Sequence, residues 1–135
     1  MIIPFNVMNA TGDAVLKRKE LEYCLDSVLV AHVNPQNKQF FTDVVLHGSI
    51  VSLLQKIILV KSACKAARKG FDFTQTERVA VLLDVFLMRS HLWQQNGAYE
   101  DPFQGEFLDL PSLYNTLAPE YLKVEAALRE LAKEI

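Results

Sequence analysis

Few residues in this chain have types and spacings that can do chemistry. The pair best suited to acid–base work is Asp43 and His47. Four residues apart on a helix, they share a face, so the carboxylate can hydrogen-bond the imidazole and orient it. The same spacing serves equally well as a structural bond on a buried helix, because a lone Asp–His pair carries little specificity. Phosphotransfer through His47 asks for a polar surround, yet Ile50 and Val51 follow His47-Gly48-Ser49. His91 is a further candidate base, and His32 sits where a cation complements a helix C-terminus.

Metal and phosphate chemistry lack their signatures. No histidine has a glutamate three residues before it, and neither Cys-x-x-Cys nor His-Glu-x-x-His occurs, so no metal site is expected. The glycines at 12, 48, 70, 97 and 105 are scattered and form no phosphate loop. No cofactor is expected. Cys24 and Cys64 each lie in an apolar helical stretch and read as buried free thiols of a reducing cytoplasm.

Binding chemistry has two candidate places. Lys61, Lys65 and Lys69 step by four along one predicted helix, with Lys56 and Arg68 near them, and can face phosphates. A solvated helix end explains the same stripe, and a net charge of −2 disfavours nucleic acid as a partner. The second place is an acidic-aromatic stretch. Tyr99, Phe103, Phe107 and Tyr114 alternate there with Glu100, Asp101, Glu106 and Asp109, and no Lys or Arg occurs between Arg89 and Lys123. Aromatic side chains in a long irregular segment are good anchors for a partner. They serve equally well as a cap over the open end of a bundle.

The elements that must position these groups are helices. A chain of 135 residues, half of them apolar and with five glycines and five prolines, suits one helical domain spanning 1–135. The first helix is expected to start near Thr11 or Asp13 and to end at His32-Val33-Asn34-Pro35, since a residue before proline disfavours the α conformation. The second is expected over about 40–69. It is apolar on most of its circumference, which predicts a central element wrapped by neighbours, with Gly48-Ser49 as the place for a bend. Lys65, Arg68 and Lys69 before Gly70 read as its C-terminal end. Thr74-Gln75-Thr76-Glu77 fits a capping box that opens a third helix over about 75–96, antiparallel to the second. An irregular segment follows over about 98–118, with room for a short helix from Ser112 to Leu117. Pro119 is then placed to open a last amphipathic helix striped by Tyr121, Val124, Leu128, Leu131 and Ile135.

These elements predict an all-α, four-helix bundle-like domain built on a long central antiparallel hairpin, with N- and C-terminal helices packed on it. No membrane span is expected, since the most apolar window, Phe40 to Val60, holds Asp43, His47, Gln55 and Lys56. The N-terminus has no basic leader, so the expected compartment is the cytoplasm. Residues 1–70 carry nine Lys/Arg against five Asp/Glu, whereas residues 71–135 carry five against eleven. Opposed charge of this kind lets the halves attract each other, or lets the acidic half meet a basic partner. The wide apolar surface also leaves room for a homodimer. Together these features predict a protein-binding role: an adaptor, regulator, chaperone-like factor or assembly subunit whose partner contacts Tyr99, Glu100, Asp101, Phe103, Glu106, Phe107 and Asp109.

Overall fold

The computed structural model describes residues 7–34, 36–46, 52–95 and 110–135. In chain order the elements are α1 (Val7–Val33), a single-turn α2 (Lys38–Phe40) running into a π-helical turn (Phe41–Leu46), α3 (Leu53–Ala66), α4 (Thr74–Gln95) and α5 (Leu110–Glu134). No strand occurs among the described residues, and the helices pack on one another as an all-α bundle.

The directions of the helices follow from their side-chain pairs. Asp13 meets Tyr114, Lys17 lies over the Tyr121 ring and Arg129 reaches Glu20, so α1 and α5 run parallel. Phe86 packs on Tyr114 near the start of α5, and Lys69, just before α4, meets Glu134 at its end. α4 is therefore antiparallel to both. The turn between α3 and α4 is tight, and Lys61 pairs with Glu77 across it. It follows that α3 is antiparallel to α4 and parallel to α1. Two neighbouring parallel helices cannot be joined by a short turn, and 18 residues separate Val33 from Ser52 in the sequence. The π-helical turn among them packs against α1.

This arrangement corrects the sequence expectation for the second helix. The stretch expected as one helix over 40–69 is two pieces, and Ser52 opens the second. Its backbone is extended, its hydroxyl accepts from Gln55 N at 3.2 Å, and the Gln55 side chain accepts from Ser52 N at 2.8 Å. That reciprocal cap satisfies two amides which a continuous helix would have used internally. Nor is α3 wrapped by its neighbours. Its buried residues, Leu53, Lys56, Ile57, Val60, Ala63 and Cys64, form one stripe, and the opposite face is open to solvent. The element that α3, α4, α5 and the π-helical turn all touch is α1. It buries Ala10, Ala14, Leu21, Cys24, Leu25, Val28 and Leu29.

Helix ends differ from expectation in ways that have physical causes. α1 is already helical at Val7, because Ala14 and Ala10 carry its buried row back toward the N-terminus. It ends where expected, with Asn34 in the left-handed region at φ 47°. α3 closes in a Schellman motif: Lys69 N donates to Cys64 O at 2.8 Å and Arg68 N to Lys65 O at 3.2 Å. The left-handed residue there is Arg68, at φ 55°, and not the expected Gly70. At the start of α4 the expected capping box does not form. Asp72 accepts from Thr74 N at 2.9 Å and from the Thr74 hydroxyl at 2.6 Å, while Glu77 turns to Lys61.

α5 begins at Leu110 and runs straight through Pro119, where the sequence suggested irregular chain up to 118. A proline inside a helix costs about 3 kcal/mol. Leu110, Leu113 and Leu117 continue the row of Tyr121, Val124, Leu128 and Leu131 in phase, and all seven are buried. Burying three leucines contributes roughly 2 kcal/mol each, which outweighs the proline.

Candidate functional site

The most unusual polar group in the core is Lys56. It is fully buried, at 0% exposure, on the inward stripe of α3. Its ammonium donates to Glu22 Oε1 at 2.7 Å and lies 3.0 Å from Asp26 Oδ1, both on α1. The sequence grouped Lys56 with the basic stripe, and its position between Leu53, Ile57 and Val60 explains the difference. Residues at i, i+3, i+4 and i+7 share one face, so Lys56 points inward with the aliphatic residues. Asp26, on the neighbouring helix, is buried too. A buried charge needs a charged, hydrogen-bonding partner, and here two carboxylates supply it. The cluster fixes α3 on α1. Its lysine is sealed from solvent, which leaves no access for a substrate.

A second polar cluster joins α1 to α5. The Asp13 carboxylate accepts from Lys17 at 2.7 Å and from the Tyr114 hydroxyl. Burial pushes the Asp13 carboxyl up, but hydrogen bonds from Lys17 and Tyr114 and the Lys17 charge outweigh it, leaving it below its ordinary value. Burial and the Asp13 carboxylate together push the Tyr114 hydroxyl up to about 12. Its ring packs on Phe86 at 5.6 Å between centroids. Tyr114, grouped by sequence with the acidic-aromatic stretch, thus belongs to the helix interface. Leu110 is buried as well. Burial likewise raises the Cys24 and Cys64 thiols, and both cysteines are free.

The basic stripe is only partly free. Lys61 pairs with Glu77, and Lys69 meets Glu134 at 2.5 Å. Lys65 and Arg68 are exposed and make no ion pair among the described residues. Beside them, the α3–α4 turn frames an open depression of about 430 Å³ between Lys61, Lys65, Lys69 and Phe71, with Asp72 and Glu77 on its α4 side. That mixture of charges is unlike the uniformly basic stripe a phosphate backbone prefers.

The outer face of α3 is apolar where it meets water. Leu54 is 44% exposed, Ile58 59% and Leu59 43%. Leu54, Ile58, Lys61 and Lys65 form one row at i, i+4, i+7 and i+11. Gln55, Leu59, Ser62 and Ala66 form the row beside it. The excess of apolar residues here is legible in the sequence, but the neighbours expected to cover it are replaced by solvent.

Other expected site residues fall elsewhere. Tyr99, Glu100, Asp101, Phe103, Glu106, Phe107 and Asp109 lie outside the described residues, as does His47, the expected partner of Asp43. The backbone of Asp43 belongs to the π-helical turn. His91 is exposed on α4. Among the described residues no three His, Cys, Asp or Glu side chains gather as metal ligands, and no helix is long and apolar enough to cross a membrane. No family model, curated protein or solved structure matches this chain.

Proposed function

We propose that this chain is a non-enzymatic protein-binding domain, an adaptor, regulator, chaperone-like factor or assembly subunit acting in the cytoplasm. The observation that carries the reading is the outer face of α3, where Leu54, Ile58 and Leu59 stand in water while the opposite face is packed. Three large aliphatic side chains within two turns contribute little to folding when exposed, and a contiguous apolar patch of this kind is characteristic of interaction surfaces. The acidic-aromatic residues Tyr99, Glu100, Asp101, Phe103, Glu106, Phe107 and Asp109 add anchors of the type that dominate interface energetics. The two free buried thiols suit a reducing compartment.

The test is proximity crosslinking in the native host with wild type, Ile58→Asp, and a triple alanine variant at Tyr99, Phe103 and Phe107. Ile58 is exposed, so Ile58→Asp should leave unfolding within about 0.5 kcal/mol of wild type while a crosslinked partner disappears. Partners retained in full by both variants would remove the proposal.

A further inference from the structure

We infer that the outer face of α3 receives an amphipathic helix whose apolar ridge is preceded, in its N-terminal turns, by acidic residues. This rests on the protein-binding reading above and specifies the chemistry of the partner.

Charge complementarity carries the inference. Across residues 53–66 the helix has three lysines and no acidic residue. Lys56 is spent in the core, and Lys61 and Lys65 continue the exposed aliphatic row toward the helix C-terminus. Arg68 and Lys69 extend the basic edge past the helix end, and of these cations Lys65 and Arg68 have no ion pair among the described residues. The face is therefore apolar over its first two turns and cationic over its last two. A helix laid along it meets Leu54, Ile58 and Leu59 with aliphatic side chains and Lys61 and Lys65 with carboxylates. Antiparallel docking fits best, because it sets the partner's N-terminal turn, where acidic residues are favoured, over the lysines. The depression beside Lys61, Lys65 and Phe71 continues the same edge and has room for a side chain from the partner's end.

A second copy of this chain does not fit the face. A two-fold α3–α3 contact is self-complementary by symmetry. Antiparallel, it would set the lysines of each copy over the aliphatic end of the other with no carboxylate over residues 53–66 to receive them; parallel, it would set lysine on lysine, and both are unfavourable.

The experiment measures binding of three synthetic amphipathic helical peptides that share one leucine ridge and carry glutamate, glutamine or lysine in the N-terminal turns before it. The full-length chain is used as wild type, as Ile58→Asp and as Lys65→Glu/Arg68→Glu, with circular dichroism confirming that each variant is folded. The glutamate peptide should bind at least about tenfold tighter than the other two, a margin that shrinks at high salt. The Lys65→Glu/Arg68→Glu variant should transfer the preference to the lysine peptide, and Ile58→Asp should weaken all binding about tenfold or more. Three peptides of equal affinity, all weakened by Ile58→Asp, would overturn the acidic partner and leave the protein-binding reading standing. No measurable binding of any peptide overturns the inference, and joined to host crosslinks that ignore Ile58→Asp it takes the broader reading with it. A concentration-dependent dimer of wild type that Ile58→Asp dissociates would also overturn it, since a second copy would then occupy the face.

Discussion

Replacing Lys56 with methionine keeps most of the buried stem and removes the ammonium that two carboxylates share. Its Nζ lies 2.7 Å from Glu22 and 3.0 Å from Asp26. With an effective dielectric near 20, each attraction is on the order of 6 kcal/mol, comparable to the several kcal/mol that each ion loses by leaving water. The intact cluster therefore adds little net stability. A carboxylate left behind in the core is a different matter, since it keeps the desolvation and loses the attraction. Asp26 is the sensitive partner. Its side chain is 8% exposed, whereas that of Glu22 is 33% exposed and can turn to water. Lys56→Met is expected to cost about 3–5 kcal/mol, a large share of the roughly 5–15 kcal/mol that stabilises a domain of this kind. At this chain length each kcal/mol moves Tm by about 3–4 °C, so the melting point should fall by roughly 9–20 °C. Urea titration near neutral pH measures the loss directly. The companion Lys56→Met/Asp26→Leu removes the ammonium and the buried carboxylate, leaving the partly exposed Glu22 to turn to water, and should recover most of the loss, to within about 1 kcal/mol of wild type or above it. A single variant as stable as wild type would mean that water reaches the cluster. A double variant no better than the single would mean that packing of the lysine stem, and not charge, sets the penalty. Either result refutes the reasoning.

Two further changes test local features of the fold. Arg68→Gly should raise stability by about 1 kcal/mol in urea titration, because a non-glycine residue in the left-handed region carries a steric cost and Arg68 sits there at φ 55°; a loss of stability would show that the Arg68 side chain holds the turn. Stability should also fall at both extremes of pH through the Asp13–Tyr114 contact. The folded Asp13 carboxyl lies below its ordinary 3.8, so its contribution is complete above that value and is lost as pH falls beneath it. The folded Tyr114 hydroxyl lies at about 12 against an ordinary 10.0, so its contribution is complete below pH 10 and is lost as pH rises toward 12. Tyr114→Phe should flatten the alkaline limb of the stability profile, and an unchanged alkaline limb would count against the hydrogen bond.

Helices were legible in the sequence wherever one apolar row was regular. The α5 row from Tyr121 to Leu131 and the α1 row from Leu21 to Leu29 lie where their spacing put them. Failures came where two signals competed. Val44 to Val60 is apolar enough to hide the Ser52–Gln55 cap, a readable Ser-x-x-Gln pattern, so its pattern predicts one helix where the chain is interrupted at Ser52. Pro119 and the loop-like composition before it masked three leucines already in phase with the last helix. The cation expected at the surface, Lys56, is in the core, because register on a helix outranks residue type once carboxylates from α1 wait on the other side. The candidate surface was half legible. Sequence showed more apolar residues on this stretch than one stripe can bury. It could not show that the excess faces solvent, because that depends on which helices flank α3 and in which direction they run.

That direction is what leaves the face open. α1 has 27 residues and α3 has 14, so α3 spans about 21 Å of a helix about 40 Å long. Running parallel to α1, it must be reached by a return segment, and that segment uses chain that an antiparallel design would have given to a longer helix. α1 holds α3 through Lys56 and its aliphatic neighbours, and α4 holds it at the turn. No described element lies over its outer side. Trimming Leu54 or Ile58 to a polar residue should therefore cost the fold little, whereas trimming Ile57 or Val60, one turn of the same helix but facing α1, opens a cavity worth about 2–4 kcal/mol. The two faces of a single helix thus separate what holds the domain together from what stays open to solvent. If the proposed partner docks on the outer face, substitutions there change its binding and leave folding intact.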